Sequence, residues 1–102
     1  MIPPQERLIQ LARLIGLAEF VERFGSPRTA EPSADDLRAL IDERLGHVAE
    51  ALVAEAAASD DVTGGASAQA YLADRLATLG DLFSDQQSAG IRASFREATS
   101  GW

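Results

Sequence analysis

His47 is the only histidine in the chain, with Glu43 four residues before it and Glu50 three after. On a helix these spacings put all three side chains on one stripe, E-x3-H-x2-E, away from the apolar seam. An imidazole and two carboxylates suit a divalent metal, and a symmetry mate would complete the ligand set. The same stripe also reads as a solvated acidic face, where the Glu43–His47 pair adds roughly 0.2–0.5 kcal/mol. Carboxylate-bridged bundles use Glu-x-x-His, and here the order is reversed. Glu43, His47 and Glu50 are therefore metal candidates only, and no metal or other cofactor is expected.

Other chemistry is largely excluded by what the chain lacks. It has no cysteine and no lysine, which removes thiolate ligands, disulfides, Schiff-base chemistry and the lysine of a Walker-type loop. No G-x-S-x-G elbow occurs, and there is no second histidine to act as a base. DDVTGG, Asp60 to Gly65, lacks the acid spacing of a calcium loop, and its two carboxylates would repel a phosphate. Catalysis is not expected.

Two short stretches carry family resemblances. LRALID, Leu37 to Asp42, resembles the L-R-x-x-I-D opening of the all-helical chorismate mutases over six residues. That resemblance implies arginines and a lysine around a dicarboxylate; only Arg38 has a counterpart, in a chain without lysine. FSDQQSAGIR, Phe83 to Arg92, is similar to the LTxxQ motifs of periplasmic stress proteins. A helix cap at Ser84 with Gln87 three residues later accounts for the same pattern.

The elements that must position these residues are helices. Residues 1–102 read as a single all-α domain, a small bundle of about four helices at about 4–24, 34–58, 66–82 and 85–99. Gly25 and Pro27 end the first, and Ser33 caps the second with Asp35 and Asp36 in its first turn. The second seam is Leu37, Ile41, Leu45, Val48, Leu52 and Ala56, at steps of four and three. The third is Ala68, Leu72, Leu76, Leu79 and Phe83. The fourth is thin, with Ile91, Phe95 and Ala98, and Trp102 is expected to fold back over its end as core filler.

The first helix does not keep one face. Before Gly16, Leu8, Leu11, Ala12 and Ile15 lie opposite a polar stripe of Glu6, Gln10 and Arg13. After it, Leu17, Phe20, Val21 and Phe24 lie opposite Glu19, Glu22 and Arg23, about half a turn away. Either the helix breaks at Gly16, or neighbours flank it on two sides, or a second chain buries one half. Leaving four large apolar side chains wet forfeits about 6–12 kcal/mol, comparable to a domain's net stability. The expectation is therefore a bundle completed by homodimerisation through Leu17, Phe20, Val21 and Phe24.

Charge narrows the function class. The net charge is −7; residues 1–24 are neutral and residues 25–61 carry −6. That balance argues against direct nucleic-acid binding and against anionic membrane surfaces. Nineteen alanines, with neither lysine nor asparagine, fit a GC-rich bacterial coding sequence. No basic region precedes the first apolar run, so a cytoplasmic location is expected. The expected function is protein–protein interaction, as adaptor, regulator or inhibitor, with a protein partner and a homo-oligomeric state. The alternative is an acidic nucleic-acid mimic that inhibits a nucleic-acid-handling protein through Asp35, Asp36, Asp42, Glu43 and Glu50. A helical metalloprotein built on Glu43, His47 and Glu50 is the third class.

Overall fold

The computed structural model describes residues 4–102, so residues 1–3 of the expected domain lie outside the described residues. The described chain is all-helical, with six α-helices: α1 (Pro4–Ile15), α2 (Leu17–Phe24), α3 (Ala34–Glu43), α4 (Leu45–Ala58), α5 (Gly65–Leu79) and α6 (Asp85–Ala98). A 3-10 turn, Gly80–Leu82, joins the last two. Helix α4 packs most extensively on α6 and also touches α1, α3 and α5. No helix among the described residues is long and apolar enough to cross a membrane.

Four expected helices become six because two of them are interrupted. The span expected at 4–24 breaks at Gly16, where φ is +113° and ψ 116°. Glycine reaches that conformation freely, whereas an L side chain rarely does. Helix α1 closes with the Gly16 amide on the Ala12 carbonyl at 3.0 Å. Helix α2 opens with the Phe20 amide on the Gly16 carbonyl, also at 3.0 Å. The break frees the Ile15 carbonyl, and Arg44 Nε donates to it at 3.2 Å from the α3–α4 corner. Arg23 of α2 pairs with Glu43 of α3, a second tie across the same corner.

The rotation at Gly16 resolves the conflict between the two apolar faces. Leu11, Ala12, Ile15 and Phe20 are all completely buried in one core. One residue's backbone takes up enough of the half-turn misalignment to bury Phe20 with the α1 face, while Leu17 and Val21 stay exposed.

The span expected at 34–58 bends at Arg44, with φ −114° and ψ 18°. Its amide donates to both Leu40 and Ile41 carbonyls at 3.1 Å, and Val48 picks up the Arg44 carbonyl at 2.9 Å. Little helical bonding is lost, so the seam survives the bend: Leu37, Ile41, Val48, Leu52 and Ala56 are buried, and Leu45 is half-buried against them. The expected 66–82 helix ends at Leu79 in the 3-10 turn, and its seam residues Ala68, Leu72, Leu76, Leu79 and Phe83 are buried.

Capping follows the sequence signals. Ser33 Oγ accepts from the Asp36 amide at 3.2 Å. Ser84 and Gln87 form a reciprocal capping box at 3.0 and 3.1 Å. Gln87 does more than cap, since its Nε2 also donates to the Arg38 carbonyl at 2.9 Å and to Asp42 Oδ1 at 2.7 Å. The side chain is almost fully buried. A thin helix with only Ile91 and Phe95 fully inside is thereby locked onto α3 by hydrogen bonds as well as packing.

Candidate binding face

The residues first suspected of metal chemistry are separated by the bend at Arg44. Glu43 ends α3 and is taken by Arg23, while His47 and Glu50 stand exposed on α4. Among the described residues no group of three or more His, Cys, Asp or Glu is arranged to hold a metal ion. The stripe required one straight helix, and the chain does not supply it.

The acidic set is exposed throughout, but it is not one free strip. Asp35 and Asp36 occupy the first turn of α3, where the helix dipole favours them. Asp42 accepts from Gln87, and Glu43 is paired with Arg23. Glu50 lies farther along, beside a shallow hollow between α4 and α6 that it shares with Glu97.

Of the four residues expected at a partner interface, two have moved inside. Phe20 is fully buried, and Phe24 is half-buried, packed edge-on against it at 5.2 Å between ring centroids. The expectation of a four-residue apolar surface is corrected, because the Gly16 rotation turns the aromatic side of α2 into the core. Leu17 and Val21 remain, at 51% and 46% exposure. Trp102, expected as core filler, is also substantially exposed, beside Ala56, Val62 and Gly64.

Leu17 and Val21 do not stand alone. With Ile9 of α1 and Pro27 they form the floor of a groove of about 320 Å³, bordered by Arg13 and Arg28. No carboxylate lines it. Neither guanidinium group has a hydrogen-bond or ion-pair partner among the described residues, whereas Arg23, Arg44 and Arg75 are engaged within the fold. In a chain of net charge −7, two uncommitted cations beside the exposed aliphatic pair form a local reversal of sign. Arg13 on the first helix and Arg28 in the loop after it could both be placed from the sequence. Their freedom could not be, because it depends on where every acid settles.

One polar cluster is structural in character. Arg75 of α5 reaches Glu55 of α4 at 3.3 Å and Gln10 of α1 at 2.8 Å, and Tyr71 donates to Glu55 at 3.5 Å. Burial, and then the Glu55 carboxylate, hold the Tyr71 phenol above the ordinary tyrosine range, with Arg75 opposing.

Comparison of the chain with protein-family models, with curated proteins and with solved structures finds no match.

Proposed function

We propose that this chain is a protein-interaction module that receives an acidic, apolar segment of a partner protein in the groove along α2. The observation that supports this is the pairing of exposed Leu17 and Val21 with two uncommitted arginines, Arg13 and Arg28. An amphipathic helix laid in such a groove buries aliphatic anchors on the floor and sets its acids against the rims. Two half-exposed side chains are too small a surface to demand a permanent partner, so the interaction is of the transient kind. A second copy of the chain is the second reading, supported by the −6 carried by residues 25–61, which would supply the acids.

The test is fluorescence anisotropy of a labelled helical peptide carrying leucines on one face and glutamates beside them. Binding should weaken as salt rises and fall at least tenfold in Leu17→Ser/Val21→Ser. Concentration-dependent self-association abolished by the same pair would assign the face to a second copy. A basic peptide that binds equally well would contradict the proposal.

A further inference from the structure

We propose that a second cavity, between the first turn of α1, the α2–α3 loop and the 3-10 turn, binds a small carboxylate with an apolar body. It is a cleft open to solvent with a volume of about 650 Å³, within the range of roughly 300–1,000 Å³ seen for small-molecule sites. Leu8, Ala30, Leu37 and Leu82 give it apolar walls, and Arg7 and Arg28 supply two cations against one carboxylate, Glu31.

Arg7 is the residue whose surroundings point to a ligand. Its Nη1 approaches the Leu79 carbonyl and Asp81 Oδ1, each at 3.4 Å. Charge-assisted bonds are usually about 2.7–2.9 Å, so both contacts are long. The Asp81 carboxylate is 92% exposed, which leaves that pair screened by water and weak. Nε is buried with no hydrogen-bond partner among the described residues. An unpaired buried donor on a charged group is a costly arrangement that a bound anion nearby would relieve. Arg7 also lies in the first turn of α1, where a cation opposes the helix dipole.

The fold is shaped to keep Arg7 there. Gly80 takes φ +62°, which favours glycine, and a Cβ there would stand 2.7 Å from Arg7 Nη1, so a side chain at this position would displace the guanidinium. Gln5 donates to the Arg28 carbonyl and ties the loop to α1 across the mouth. The planar fork of an arginine matches a carboxylate's two oxygens, and the apolar walls suit a hydrocarbon body behind it. The site is separate from the α2 groove, although Arg28 borders both.

The test is calorimetric titration of the full chain with octanoate, with octanol, acetate and inorganic phosphate as controls. Octanoate should bind saturably and at least tenfold more tightly than each control. Arg7→Gln, shown by circular dichroism to be folded, should lose at least tenfold, and Leu17→Ser should lose nothing. In the unaltered protein, octanoate should also shift the Arg7 Nε–H resonance, a readout that does not depend on any variant folding. Octanol or phosphate binding as tightly as octanoate, or an Arg7 resonance unmoved at saturation, would overturn the proposal.

Discussion

Gly16 sets the course of residues 4–24 through its backbone conformation. At φ +113° an alanine would carry the strain of a sparsely populated region, roughly 1–3 kcal/mol. Crowding is a lesser matter, since the nearest atom to a Cβ there would be Arg44 Nη2 at 3.4 Å. Gly16→Ala should therefore lower the urea midpoint by an amount equivalent to about 1–3 kcal/mol without changing the all-helical circular dichroism spectrum. Tyr71 makes a different residue-scale prediction. Its folded pKa is raised, so the folded chain holds the phenolic proton longer than the unfolded chain does. The stabilisation is fully present below the ordinary phenol value of about 10 and is lost as pH rises through the folded value. Ultraviolet titration of this single tyrosine should give an apparent pKa above that of the urea-unfolded chain, and Tyr71→Phe should blunt the alkaline loss of stability.

At the scale of elements, α2 carries two neighbouring residues of opposite fate. Phe20 is fully buried and Val21 nearly half exposed. Phe20→Ala should cost about 3–5 kcal/mol, whereas Val21→Ser should stay within about 0.5 kcal/mol, measured by chemical denaturation. If both were mild, α2 would not be docked as described. Much of this scale was legible in the sequence. The seams from Leu37 to Ala56 and from Ala68 to Phe83 follow from spacing alone, because a helix of fixed pitch converts steps of three and four into one face. The Ser33 and Ser84–Gln87 caps are equally local, and the structure realises both. Less was legible where a local conflict had several global solutions. The mismatch of faces about Gly16 was visible, but whether a bend or another chain resolves it depends on Arg44 and Glu43, more than twenty residues away. The bend at Arg44 left no mark on the pattern at all, because the seam runs through it unbroken.

For the molecule as a whole, the altered fate of Phe20 and Phe24 changes the balance of the argument. A dimer was expected because four apolar side chains would otherwise be wet. One of the four is buried, one half-buried, and two stay exposed. The core therefore gains less from a second chain, and the −7 charge opposes close self-association at low salt. The candidate site was only half legible for the same reason. Leu17 and Val21 could be picked out by angle, while the groove needs Pro27 and Arg28 brought back from the loop after α2. The cavity around Arg7 was hidden entirely, since its Leu79 and Asp81 contacts join residues more than seventy apart.

The Leu17–Val21 groove, with Arg13 and Arg28 at its rims, is the proposed seat of a partner. Methyl and amide NMR of the labelled chain, titrated with the acidic amphipathic peptide, tests it most directly. The account predicts shifts concentrated at Ile9, Leu17, Val21 and the Arg13 and Arg28 side chains, with α6 unmoved. Shifts centred on the acids of α3 and α4, or none at saturating peptide, would contradict it.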